Sequence, residues 1–233
     1  EAGRTMSSEA IVLWDIDGTL LRTPGVGVRA FTSAVESVTG RPIALQRYDF
    51  GGKTDPLIAL ELLGALGLTD PALVDAVLAE VERTYGSLAD ELRATLVMLP
   101  GVPTLLSTCA SLEVGQTVVT GNIEIAARQK LAAGDIDVHL DLECGGYGSD
   151  HHDRNELVRL ALERLGRVRS VDPARVWVVG DTPRDAGCAA ANGVHCLLVA
   201  TGTYSYEQLS GLGADMVLRD LADVDAVLSI LGA

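Results

Sequence analysis

Ile11-Val12-Leu13-Trp14-Asp15-Ile16-Asp17-Gly18-Thr19 joins four apolar residues to two carboxylates set two positions apart and a glycine. A short apolar run rich in β-branched and aromatic residues, stopped by Asp and Gly, predicts a buried strand over 10–14 running into a turn. In an open parallel sheet the working groups lie just beyond the carboxyl ends of the strands. Two acids placed there can divide a reaction between them: one attacks or binds metal, the other moves a proton. The same residues also make an ordinary polar turn, so the rest of the chain has to decide.

Further strand signals follow at 115–119, 141–145, 175–179, 195–199 and 214–217. Helical patterns lie between most of them, at 102–112, 123–132, 154–165, 184–191 and 222–231. Strands alternating with helices imply a parallel sheet joined by right-handed crossovers, an α/β fold of the Rossmann-like kind with helices on both faces. Val176-Trp177-Val178-Val179 and Cys196-Leu197-Leu198-Val199 are apolar throughout, as strands buried on both faces should be.

About ninety residues between the first two of these strands carry no strand signal. Residues 26–38 read as a helix, with Val28, Phe31, Val35 and Val38 at three- and four-residue steps. Asp55-Pro56 offers an N-cap and first-turn pair ahead of 57–66, and Asp70-Pro71 repeats the device ahead of a helix reaching Tyr85. The organisation expected is a core of 6–22 and 96–233 with a small all-helical insert, 23–95, rooted at the acidic turn. An insert at that place is positioned to act as a lid.

The chain of 233 residues is long enough to bury about 70–75% of its unfolded surface. Its net charge of −14 argues against binding nucleic acid or an anionic membrane, both of which need clustered Lys and Arg. A phosphorylated substrate would need a locally positive pocket or a bound cation. Cys109, Cys144, Cys188 and Cys196 show no CxxC spacing and read as buried free thiols in a reducing, cytoplasmic setting. No apolar stretch reaches the roughly 18 residues of a membrane span. Residues 1–8 lack the apolar core of a signal peptide, and because the first methionine is Met6, residues 1–5 read as an addition ahead of the natural start.

Four further features fall at strand ends or helix starts. Thr120-Gly121-Asn122 closes the second major strand with a hydroxyl that can donate to an anionic oxygen, helped by nearby backbone N–H groups. Gly180-Asp181-Thr182-Pro183-Arg184-Asp185 places Asp181 at a strand tip and Asp185 in the first turn of a helix, where an acid is favourable. If these strands are neighbours of the first, three or four acids converge, which is repulsive unless a cation sits among them. Oxygen ligands without Cys or His point to a hard ion, Mg²⁺ above all. Asp153-Arg154-Asn155-Glu156 reads as a capping box opening the helix to Leu165, with the Arg154 guanidinium reaching toward the sheet edge. In the insert, Gly51-Gly52-Lys53-Thr54-Asp55 precedes a helix start and makes an anion contact available at Lys53, with Arg47 nearby. Adjacent His151 and His152 point apart in extended chain and lack metal-ligand spacing.

Taken together, the Asp-x-Asp-Gly-Thr turn, the strand-end Thr120, a basic residue and Gly-Asp-x-x-x-Asp resemble the four-motif pattern of the haloacid dehalogenase-like hydrolase superfamily, from about residue 10 to the C-terminus. The position of the insert resembles the C1 helical cap of the phosphoglycolate phosphatase-like branch. The resemblance implies that Asp15 is the nucleophile and forms an aspartyl-phosphate, while Asp17 protonates the leaving alkoxide and later deprotonates water. It implies Mg²⁺ held by the Asp15 carboxylate, the Asp17 backbone carbonyl and Asp181, with Asp185 binding directly or through water. Thr120, with Gly121 and Asn122, would bind the phosphoryl group, and Arg154 would offset its charge. The family usually has Lys where Arg154 stands; Lys130 competes for the role but sits well inside its helix.

The enzyme expected is a Mg²⁺-dependent phosphatase acting on a small phosphorylated metabolite such as 2-phosphoglycolate or a sugar phosphate, as a monomer or homodimer. Asp17 argues against the dehalogenase and phosphonate-cleaving members, which by family analogy lack an acid there. A phosphosugar mutase uses the same aspartates and stays open, as does a non-catalytic phosphate-binding or phospho-accepting module. Phosphate-monoester hydrolysis can need an acceleration of about 10²¹, or about 28 kcal/mol, far more than the ~3–4 kcal/mol of one donor. Nucleophile, proton shuttle, metal and positive clamp are therefore needed together.

Overall fold

The computed structural model describes residues 9–45 and 47–233. The reading of residues 1–5 and the start of the core at 6 lie outside the described residues.

Strand β1 (Ile11–Trp14) is buried along its whole length. Two short strands follow in sequence, β2 (Leu21–Arg22) and β3 (Val97–Met98), and then β4 (Gly115–Thr120), β5 (Gly146–Tyr147), β6 (Val176–Gly180), β7 (His195–Val199) and β8 (Met216–Leu218). The main sheet has six strands in the order β5-β4-β1-β6-β7-β8. All its pairings are parallel, with Trp14 opposite Val118 on one side and Val179 on the other. The doubly covered α/β fold is as the alternation of signals implies. β1 lies at the point where successive strands stop being added on one side and begin on the other, and crevices at such points bind ligands.

The two faces of β1 feed two different cores. Val12 and Trp14 pack with Leu105 and Leu106 of α5 (Val102–Ser111), Leu131 of α6 (Glu124–Ala133), and Val227 and Leu231 of α10 (Val224–Leu231). Ile11 and Leu13 pack with Leu157, Val158 and Ala161 of α7 (Arg154–Leu165) and Ala189 of α8 (Pro183–Asn192). Each Leu or Val wholly buried in this way contributes about 1.5–3 kcal/mol, so the strand tips are held by a rigid scaffold.

Four helices, α1 (Val26–Thr39), α2 (Asp55–Ala65), α3 (Pro71–Ser87) and α4 (Ala89–Thr95), lie between β2 and β3. They share a third core of Phe31, Val35, Ile58, Leu62, Val77, Val81 and Leu92, which also takes in Ile123 and Ala126 at the start of α6. β2 and β3 pair antiparallel, Leu21 with Met98 and Arg22 with Val97, and so tie both ends of the helical segment together. Two residues apiece are too few for an alternation signal, which is why the sequence reading lacks them.

Several local expectations need correction. The strand expected at 141–145 is instead a 3-10 turn, Leu142–Cys144, followed by β5, and the Tyr147 hydroxyl donates to the Leu142 carbonyl at 2.6 Å to close that turn. Asp55 is not the cap of α2: Thr54 is, accepting from the Leu57 N–H at 3.3 Å, because the Asp55 carboxylate accepts from the Ile123 N–H at 2.7 Å. Asp153 does cap α7, but the reciprocal half of a capping box is absent because Glu156 pairs with Arg159 at 2.7 Å. His151 and His152 lie where the chain bends into α7, and their rings stack at 4.5 Å rather than pointing apart. Asp70 caps α3 as expected, and all four cysteines are free and buried. Among the described residues no helix is long and apolar enough to cross a membrane.

Candidate active site

Parallel pairing of β4, β1 and β6 brings three strand tips side by side, and with them Thr120, Asp15 and Asp181. Carboxylate oxygens of Asp15, Asp181 and Asp185 all lie within 4.8 Å of one another, and all three residues are buried. Loss of hydration raises the Asp15 carboxyl well above its ordinary 3.8; Asp185 and Asp17 add to this and the Arg154 charge opposes it. Asp181 is raised for the same reason, with Asp15 and Asp185 as its repelling neighbours.

Asp15 Oδ1 is taken by Arg154 at 2.8 Å, and Asp181 Oδ1 accepts from the Thr19 hydroxyl at 3.3 Å. Their Oδ2 atoms receive no hydrogen bond from any described residue. Crowded carboxylate oxygens lining the cavity, with neither His nor Cys among them, fit a hard divalent cation such as Mg²⁺. The acidic pKa values give this a sign. A carboxyl whose folded pKa lies above its unfolded value adds stability below about pH 4, and that stability is lost as pH rises through the folded value. Metal-free protein is therefore expected to melt lower at pH 8 than at pH 5.5, and Mg²⁺ to raise the melting temperature more at pH 8. Thermal unfolding at both pH values, with chelator and with Mg²⁺, checks this.

Asp185 has both oxygens engaged. Oδ2 accepts from the Thr182 N–H at 3.0 Å and hydroxyl at 2.7 Å, which caps α8, and Oδ1 accepts from Arg154 at 2.5 Å. Arg154 is the first residue of α7 and is buried. It reaches past the sheet edge to the centre of the site, and its Nε has no partner among the described residues.

Asp17 faces the other side of the turn. Its Oδ2 accepts from Lys130 Nζ at 2.6 Å and from Asn122 Nδ2 at 2.8 Å. Lys130 also donates to Asn122 Oδ1 at 2.7 Å, and Asn122 donates to Thr120 Oγ1 at 2.7 Å. Thr120 thus spends its oxygen on Asn122 and keeps its own O–H to donate. Burial acts to lower the Lys130 pKa, but the charge and hydrogen bond of Asp17, with Tyr85 and Asp55, together outweigh burial and raise it, which holds the ammonium charged. The structure gives Arg154 to Asp15 and Lys130 to Asp17, so both basic candidates face the site. The sequence holds a signal for Lys130: it is a cation within the buried stripe Ala126, Ala127, Lys130, Leu131 of α6.

The helical segment closes over this centre. Gly121 accepts from the Asp55 N–H at 2.7 Å, and a Cβ at 121 would lie 2.0 Å from the Lys53 carbonyl. Arg184 and Arg154 donate to the Gly51 and Gly52 carbonyls at 3.0 and 3.3 Å, and the Thr54 hydroxyl donates to the His152 carbonyl at 2.7 Å. Lys53 lines the cavity, but its ammonium is held by Glu61 at 2.6 Å and Tyr48 at 3.2 Å. Arg47 is exposed and does not line the cavity. The cavity between core and helices measures about 480 Å³ and contains Asp15, Asp17, Thr120, Gly121, Asn122, Lys130, Arg154 and Asp181.

The sequence profile of the haloacid dehalogenase-like hydrolases matches residues 12–190, from β1 to the end of the Asp181–Asp185 helix start and beyond it. The chain belongs to that family. It is 29% identical over 217 residues to a phosphoglycolate phosphatase of Rhodospirillum rubrum, covering 91% of this chain and 88% of the relative. It is 26% identical over 219 residues to a protein of Dickeya dadantii named "Probable phosphatase IndB", covering 92% and 91%. A solved structure of "a predicted phosphatase" from Clostridium acetobutylicum shares the fold with a TM-score of 0.76 at 18% identity, covering 95% of this chain and 99% of that one.

In this haloacid dehalogenase-like hydrolase, Gly18 holds the acidic turn open. Its φ is +85°, and a Cβ there would come within 2.4 Å of Asp181 Oδ2. Gly18→Ala is expected to cost about 1–3 kcal/mol of stability through backbone strain. It should also displace Asp181 and lower turnover by about 10²-fold or more. Denaturant unfolding and steady-state kinetics on the same variant measure the two effects.

Proposed function

We propose that the protein is a Mg²⁺-dependent phosphatase that hydrolyses a small phosphate monoester through an aspartyl-phosphate on Asp15. The observation that carries this reading is the carboxylate of buried Asp15, within 4.8 Å of those of Asp181 and Asp185, lining the cavity two residues from a second acid on the opposite side of the turn. Mg²⁺ would be held by Asp15, the Asp17 carbonyl and Asp181, with Asp185 directly or through water. When bound it neutralises phosphoryl charge and the repulsion among these acids.

Asp15 attacks phosphorus as the ester P–O bond breaks, and Arg154 holds its other oxygen in place. The Thr120 hydroxyl and the Gly121 N–H bind phosphoryl oxygens, and Asn122, whose N–H and amide both donate to Thr120 Oγ1, orients that hydroxyl. Asp17 gives its proton to the departing alkoxide, then takes one from the water that attacks the aspartyl-phosphate. Phosphate leaves and the Asp15 carboxylate is restored. Lys130 and Asn122 hold Asp17 by one oxygen and leave the other for proton transfer. Residues 23–95 act as the cap on a core of 6–22 and 96–233, excluding water while Lys53 lies at the cap's edge of the cavity. Free buried cysteines suit a reducing, cytoplasmic setting for a monomer or homodimer.

A mutase of the same family would need a second anion site on the cap side, where Lys53 and Arg22 are the cations that line the cavity. Lys53 is held by Glu61, and the Arg22 guanidinium donates to the Thr201 carbonyl. The pairing of Lys53 with Glu61 favours hydrolysis. Retention of both Asp15 and Asp17 likewise favours an enzyme over a phosphate-binding module. The Rhodospirillum relative makes 2-phosphoglycolate the first natural ester to assay. Phosphate release from p-nitrophenyl phosphate that requires Mg²⁺ and is suppressed by chelator is the expected result; no release in either condition refutes the reading.

A further inference from the structure

We infer that the leaving group accepted by this site is an apolar alcohol that carries an aromatic ring, so that the preferred esters are arylalkyl phosphates rather than phosphorylated acids or sugars. This rests on the phosphatase reading and adds to it the chemistry of the other half of the cavity.

The cavity has two unlike ends. At the sheet end stand the carboxylates, Thr120 and Arg154. At the cap end the wall is formed by Val28 and Phe31 of α1, Phe50 of the loop before α2, and Ile58 of α2. Phe31 and Phe50 lie with ring centroids 6.0 Å apart at 51°, and Tyr48 braces Phe50 edge-on at 4.8 Å. Such a tilted aromatic corner receives another ring in the geometry that aromatic pairs prefer. Gly25 has nothing within 4 Å of where a Cβ would stand, so the start of α1 leaves room beside this wall without offering a polar group.

Charge points the same way. The four cations that line the cavity all have protein partners. Arg154 is shared by Asp15 and Asp185, Lys130 by Asp17 and Asn122, Lys53 by Glu61 and Tyr48, and Arg22 binds the Thr201 carbonyl. The Lys53 ammonium also lies 4.3 Å from the centre of the Tyr48 ring. A carboxylate or second phosphate on the substrate would enter an acid-rich cavity in which three of the four cations are already paired with carboxylates and Arg22 spends an N–H on a backbone carbonyl. Sugar hydroxyls fare little better. Asp55 spends Oδ2 on the Ile123 N–H, so that side offers chiefly its one remaining oxygen, the hydroxyls of Thr23 and Thr203 and the phenol of Tyr85. A cavity of about 480 Å³ is also large for a phosphoryl group on a two-carbon acid and ample for one on a substituted ring.

The test compares benzyl phosphate, 2-phosphoglycolate and glycerol 3-phosphate, all esters of primary alcohols, by Mg²⁺-dependent phosphate release. Benzyl phosphate is expected to have a kcat/KM about tenfold or more above both others. Phe50→Ala should lower the benzyl-to-glycerol ratio of kcat/KM by about tenfold, and Phe50→Leu should restore part of it. A ratio near one or below in the unaltered protein, or a ratio that Phe50→Ala leaves unmoved, overturns the inference and leaves the phosphatase reading standing. Silence toward all three esters while p-nitrophenyl phosphate is hydrolysed also overturns the inference alone. Silence toward that ester too overturns both.

Discussion

Asp15→Asn is expected to lower phosphate release by about 10⁴-fold or more while leaving the protein folded. An amide is a poor nucleophile and does not form the acyl phosphate that water attacks in the second step. The fold should survive because the substitution keeps size and shape and removes one negative charge from a buried group of three. Arg154 keeps Asp185 as a partner at 2.5 Å. Metal-free Asp15→Asn should accordingly melt no lower than the unaltered protein at pH 8, since the carboxyl it replaces is held above its ordinary pKa by burial and by its acidic neighbours. Loss of activity together with loss of folding would leave the nucleophile unproven; loss of activity with an unchanged or raised melting temperature ties the effect to chemistry. Kinetics and thermal unfolding on one preparation separate the two.

Asp17→Asn is expected to separate the two halves of the reaction. General acid–base groups of this kind contribute about 10²–10⁴-fold. An ester with a poor leaving group, such as a primary alkyl phosphate, should lose turnover at the first step by that amount. A nitrophenolate needs little help to leave, so with p-nitrophenyl phosphate the first step should survive and the second, water attack, should stall. Rapid mixing should then show a burst of about one nitrophenolate per site followed by slow turnover. Equal loss with both esters and no burst would mean that Asp17 serves binding rather than proton transfer. Lys130 enters the same test, because it and Asn122 hold the Asp17 oxygen at 2.6 and 2.8 Å. Lys130→Met should reproduce part of the Asp17→Asn defect.

The parts of the fold legible in the sequence are those in which one residue's chemistry and its neighbours' hydrophobicity agree. Ile11–Trp14 is apolar because both its faces are covered, and the acids follow because the strand stops there. That reading extends to Asp181, at the tip of another wholly apolar strand. What the sequence does not reveal depends on distant contacts. Thr54 rather than Asp55 caps α2 because Ile123, far along the chain, claims the Asp55 carboxylate. Lys130 looks like an ordinary helical lysine until α6 is laid against the acidic turn. Lys53 has the composition of an anion contact, yet the Glu61 that neutralises it is two helical turns further on and faces the same side. β2 and β3 owe their pairing to the closure of the helical segment, and nothing local announces them.

The proposed mechanism requires Asp15 to carry the phosphoryl group during turnover. The most direct measurement is to quench Asp17→Asn protein with acid during the p-nitrophenyl phosphate burst, reduce it with borohydride, and sequence the peptides by mass spectrometry. Reduction of an aspartyl-phosphate yields homoserine, and the expected result is homoserine at position 15 alone. Unmodified aspartate at 15, or a phosphoryl group found on any other residue, would contradict the claim.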